Sequence, residues 1–137
     1  MTKIKWPIQM VWEGDPRTKK NSQNLVRVKT KNGKEKDVLL PSKAFVVYER
    51  MALSQIPERM RLQIDRRVNV KAVYYMGTQR VVDQTNLQEA TDDILVAGKV
   101  LADDNSRIIA GHDGSRVRYD KDRPRVEITI SPLADDD

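Results

Sequence analysis

Six acids and one base share the stretch from Asp83 to Asp104, DQTNLQEATDDILVAGKVLADD, which therefore carries −5 in a chain of net charge +5. The acids are Asp83, Glu89, Asp92, Asp93, Asp103 and Asp104; the base is Lys99. Like charges held close together repel. Any fold that contains this stretch must give the acids a countercharge or spread them through water. Two readings meet that requirement. Either carboxylate oxygens hold a divalent cation such as Mg²⁺ or Mn²⁺, or the acids form a solvated helix face with no chemical task.

The first part of the stretch has helical spacing. Leu87, Ala90, Thr91, Ile94 and Gly98 fall on one side at about 100° per residue, and Glu89, Asp92 and Asp93 fall on the other side or flank it. Thr85 and Gln88 have the form of a capping box, which predicts a helix starting at Asn86. Asp83 would precede it, where the helix dipole favours an anion, and Gly98 is the expected stop. A helix of about twelve residues descends about 18 Å. Residues 98–104, if extended, climb back about 23 Å. Asp103 or Asp104 can then return to the helix start, so a metal between Asp83 and Asp104 is feasible.

The same residues carry a family resemblance. Asp83, Asn86, Leu87, Ala90, Asp93 and Leu95, followed by a short turn and Asp103-Asp104, resemble the signature of the RusA family of Holliday junction resolvases, common in phages and prophages. The family's usual front is D-x-D-N-L-x-K, with three metal-binding aspartates and a nearby lysine. Here Asp83 matches the first aspartate and Asp104 the last, while Thr85 stands at the middle one and Glu89 at the lysine. A second stretch, P-x-x-K-K-N-S at residues 16–22, is similar to the N-terminal loop of phage RusA-like proteins. The resemblance spans roughly residues 6–131.

The resemblance implies a Mg²⁺- or Mn²⁺-dependent crossover junction endodeoxyribonuclease of DNA recombination and repair, acting as a homodimer on branched DNA. A twofold dimer suits a symmetric four-way junction because it presents paired sites. Asp83 and Asp104 are the expected metal ligands and catalytic residues, with Asp103 as a supporting or alternate ligand. Glu89 is the candidate substitute for the missing middle carboxylate, and Asp93 matches the family's later helical acid. Arg17, Lys19 and Lys20 are the candidate phosphate contacts, and one of them is a candidate for the role of the missing lysine. Two other readings stay open: a branched-DNA-binding protein on the same fold that does not cut, and a metal phosphodiesterase acting on another nucleic acid.

Charge distribution suits a nuclease. Residues 1–82 carry +11 and residues 105–137 carry −1, so a basic half that could hold phosphate lies beside the acidic stretch. With no cysteine there is neither a disulfide scaffold nor a thiolate metal site, which fits a reducing cytoplasm. The apolar runs are too short to span a bilayer, and no signal peptide is expected. At 137 residues one domain is expected.

Along the chain, residues 4–12 read as a strand with Pro7 near its start, and residues 13–24 as a flexible loop. Asn32-Gly33 predicts a β-hairpin with a type I′ turn, its tip surrounded by Lys29, Lys31, Lys34 and Lys36. A helix with Ser42 as N-cap follows, its apolar face made of Phe45, Tyr48, Ala52 and Ile56, and Pro57 ends it. Residues 58–67 read as a helical turn or loop, and 68–76 as a strand burying Val68, Val70, Ala72, Tyr74 and Met76 on one face. Residues 106–111, 115–119 and 125–130 read as strands, the first two joined at His112-Asp113-Gly114. The lone His112 reads as a turn residue before a base or ligand, and residues 133–137 as a frayed acidic tail. The expected fold is α/β or α+β: a mixed sheet of five or six strands with two main helices.

Overall fold

The computed structural model describes residues 3–19, 23–41 and 43–134, with side chains throughout except at 23–26 and 37–41. The elements run β1 (Ile8–Glu13), β2 (Gln23–Lys29), β3 (Glu35–Pro41), α1 (Lys43–Ser54), β4 (Val68–Met76), α2 (Gln84–Ala97), β5 (Ile109–Gly111), β6 (Arg116–Tyr119) and β7 (Arg125–Pro132). A 3₁₀ turn at Glu58–Met60 separates α1 from β4.

Alternation builds the main sheet. On β4, Val68, Val70, Ala72, Tyr74 and Met76 are buried, as are Ile8, Met10 and Trp12 on β1 and Val126, Ile128 and Ile130 on β7. These faces meet Phe45, Tyr48 and Ala52 of α1 and Leu87, Ala90, Ile94 and Leu95 of α2 in one core. β7 lies between β1 and β4 and pairs antiparallel with both, while β5 and β6 both pair parallel to β4. Parallel neighbours need a crossover, and α2 supplies it. The result is an α+β domain with a five-stranded mixed sheet, two helices and a separate β2–β3 ribbon.

β5 and β6 do not form a hairpin. β5 lies against Val68 and Asn69, and β6 against Val73–Met76, so together they make one interrupted edge along β4. Residues 106–108 are a turn and not strand: Asn105 bonds the amides of Arg107 and Ile108, and the edge begins only at Ile109. The interruption, residues 112–115, replaces the ladder with side-chain bonds. Ser115 Oγ accepts the Ala72 N–H at 3.0 Å, and Asn69 bonds both the N–H and the C=O of Asp113 at 2.8 and 3.1 Å.

Two local expectations are corrected. The β2–β3 connection has a left-handed backbone at Gly33 (φ 75°) but not at Asn32, and the Gly33 N–H bonds the Thr30 C=O. It is thus a type I turn closed by a glycine bulge, not type I′, which needs both central residues left-handed. α2 starts at Gln84, capped by Asp83, because an aspartate placed two residues ahead of Thr85 reaches the first free amides before Thr85 can. Gly98 caps the C-terminus as expected, with φ −81°, and the left-handed residue is Lys99. Val100 N–H bonds Leu95 C=O and Lys99 N–H bonds Val96 C=O, the paired closure of a Schellman motif. Gly98 is there for space: a Cβ would stand 2.4 Å from Ile56 Cδ1, where α2 passes the end of α1. The Ser42 cap lies outside the described residues.

Candidate catalytic site

The site is assembled by α2, the loop after it, and the loop before β2. Tyr74 Oη and Thr91 Oγ1 share a buried hydrogen bond of 2.8 Å, which sets the rotation of α2 on β4. That rotation turns Asn86, Glu89 and Asp93 toward the loop before β2 and buries Asp92 on the opposite flank.

Asp83 sits at the helix start. Its Oδ1 accepts the Thr85 N–H at 2.9 Å, and an anion there is favoured by the helix dipole. Thr85 and Glu89 are exposed. Glu89 and Asp93, one turn apart, are like charges on one face, an arrangement that costs stability without a cation nearby. Lys19 is that cation. Its Nζ lies 3.5 Å from Asp93 Oδ2 and 5.8 Å from the centre of the Phe45 ring, and with Asn86, Glu89 and Asp93 it lines a small cleft.

Asp104 reaches Asp93. Its carboxyl titrates above the ordinary carboxylate range, through desolvation first and then through hydrogen bonds and repulsion shared with Asp93 and Asp103. Asp103 shapes the loop: Oδ1 accepts the Asp104 N–H at 2.7 Å and Oδ2 accepts from Asn105 Nδ2 at 3.1 Å. The chain's return from α2 stops at this level because residues 99–102 are tied to Gln63 and Ile64. Asp93 and Asp83 lie about 15 Å apart along the helix. The structure therefore joins Asp104 to Asp93 and Asp103, while Asp83 contacts the Thr85 amide.

Two of the three expected DNA contacts pair with acids of the fold. Arg17 pairs with Asp15 at 3.5 Å and Lys19 with Asp93. Asp15 in turn accepts the Gly77 N–H at 2.8 Å, and Thr18 is buried. The loop over residues 14–19 is thereby fixed to the body, not flexible as its composition suggests. Lys20 lies outside the described residues. Lys29, Lys31, Lys34 and Lys36 on the ribbon are exposed.

Two residues gained importance only with the fold. Asp92, expected opposite the apolar side or flanking it, is 8% exposed, and its Oδ2 lies 2.7 Å from His112 Nε2. The signal was Leu95, three residues on, whose burial widens the apolar stripe until it reaches Asp92. Burial raises the Asp92 carboxyl, an effect opposed by His112 and reinforced by the charge of Asp104. The hydrogen bond to Asp92 raises the His112 imidazole in spite of its partial burial.

No known family model and no curated protein sequence matches this chain. Among the described residues, no three His, Cys, Asp or Glu side chains stand grouped as a closed metal cage. The donor set that is present, Asp93 beside Asp104, nevertheless fits Mg²⁺, which is commonly held by one or two carboxylates with water and substrate phosphate completing its shell. No helix among the described residues is long and apolar enough to cross a membrane.

Proposed function

We propose that this chain is a RusA-like, Mg²⁺- or Mn²⁺-dependent endonuclease that cuts branched DNA, working as a homodimer on four-way junctions. The observation that carries the reading is the meeting of Asp104 and Asp93, two carboxylates from separate elements: desolvation first, then hydrogen bonds and repulsion shared with Asp93 and Asp103, raise the Asp104 carboxyl. Such an arrangement costs stability unless a cation relieves it. Asp93 and Asp104 would hold the metal, with Asp103 fixing the loop that presents Asp104. A metal so held activates water and stabilises charge on the transferring phosphoryl group. The chain's own residues set the frame: Asp83 anchors the start of α2, and Lys19 balances Glu89 and Asp93 where the family signature has its lysine. The exposed lysines of the β2–β3 ribbon hold phosphate.

The test is cleavage of a labelled four-way junction with and without Mg²⁺ or Mn²⁺. Wild type should cut only with metal, and Asp93→Asn and Asp104→Asn should each lose at least about a hundredfold in rate while still binding the junction. Full activity in either variant would refute the assignment. One observation favours the reading without catalysis: Lys19 already neutralises Asp93. A wild type that binds junctions yet stays inert with every divalent cation would establish that reading instead.

A further inference from the structure

Asp92 is a costly residue with no stake in capping or in the core. It sits in the middle of α2, is 8% exposed, and its Oδ1 is buried without a hydrogen-bond partner. Burying a carboxylate and leaving one oxygen unpaired works against folding. Its other oxygen holds His112 Nε2 at 2.7 Å. The His112 side chain is 29% exposed, so the ring is clamped by Asp92 at Nε2 and still reaches solvent.

The turn that carries His112 does not need its ring. Asn69 fixes Asp113 from both sides, Ser115 N–H bonds the His112 C=O at 3.1 Å, and Ser115 Oγ takes the Ala72 amide. The break in the edge strand thus delivers an imidazole that its own loop does not use. It delivers it to the flank of α2 opposite Lys19, one helix position from Asp93, where Asp92 holds the ring and also feels the charge of Asp104.

We propose that His112 is a catalytic proton donor for phosphodiester cleavage and that Asp92 is its positioning residue, an inference that rests on the nuclease reading above. A water oxygen bonds to phosphorus, and the bond from phosphorus to the leaving ester oxygen breaks. Its electron pair stays on that oxygen, which takes the Nδ1 proton of the imidazolium. The attacking water's surplus proton passes to solvent, and solvent reprotonates Nδ1. Asp92 keeps the Nε2–H in place throughout and stabilises the charged ring.

A sulfur leaving atom needs no proton, so the decisive substrate is a four-way junction with sulfur in place of the leaving ester oxygen, on the side that the wild-type product ends identify. Single-turnover rates in Mn²⁺ are compared on the oxygen and sulfur junctions for wild type, His112→Ala and His112→Gln; the glutamine can still bond Asp92 if the alanine does not fold. Expected is a loss of about a hundredfold on oxygen but less than about tenfold on sulfur, with free imidazole restoring part of the His112→Ala rate. Asp92→Asn should show the same contrast in weaker form. Equal losses on both substrates, or no loss on either, overturn the inference while the nuclease reading stands. A wild type that cuts neither junction overturns both.

Discussion

Asp104 and Asp83 are both acids of the same charged stretch, yet their surroundings set them different tasks. Desolvation, Asp93 and Asp103 together raise Asp104. A carboxyl raised in the folded state destabilises the fold once the pH exceeds its folded value, and the penalty vanishes as pH falls through the carboxylate range. Asp104→Asn should therefore raise the melting temperature at pH 7, with the gain shrinking on acidification. Mg²⁺ should raise the wild-type melting temperature and leave that of the variant nearly unchanged; scanning calorimetry reads both. Asp83, by contrast, caps a helix. Asp83→Ala should cost about 1 kcal/mol and Asp83→Asn no more than a few tenths, because asparagine caps equally well. Urea unfolding checks the pair, and cleavage by Asp83→Asn then isolates the effect of its charge. The pairing of Asp92 with His112 was not legible from the sequence, since only the fold brings together two residues so far apart in the chain.

Elements were legible where periodicity spoke. The apolar faces of α1 and β4 fall on the residues that alternation or helical spacing assigns, because each is buried on one side. β5 and β6 were harder: one has three residues and the other is exposed throughout, so neither has a face to reveal. That they share one edge of β4 is a tertiary fact. At α2 the sequence misplaced the start, which Asp83 and not Thr85 caps, but placed the stop correctly at Gly98. The left-handed backbone at that end belongs to Lys99, and Gly98 makes room for Ile56. Gly98→Ala should then destabilise by about 1–3 kcal/mol through overpacking, not backbone strain. Ile56→Val in the same chain should recover part of that loss, and a double-mutant cycle in urea measures the coupling. A strain-based penalty would be indifferent to residue 56.

At the scale of the whole molecule, charge is sorted by element. The acids gather on α2 and the loop after it, and the cations best placed for a polymer lie on the β2–β3 ribbon, which pairs with no strand of the main sheet. Composition showed the basic half but not which of its cations are committed. Arg17 and Lys19 are engaged within the fold, whereas Lys31 and Lys34 flank the ribbon's exposed turn. Phosphate contacts release counterions, so each one steepens the fall of affinity with salt by about 0.9 in the logarithmic slope. Replacing Lys31 and Lys34 by alanine should weaken binding of a labelled four-way junction and flatten that slope by up to about 1.8. Lys19→Ala should leave the slope unchanged, because Lys19 spends its charge on Asp93; instead it should leave Asp93 without its cation and lower the Mg²⁺ concentration needed for cutting. Anisotropy titrations over a range of salt separate the two roles. A slope that flattened with Lys19→Ala and held steady with the ribbon variant would move the DNA path from the ribbon to the loop before it.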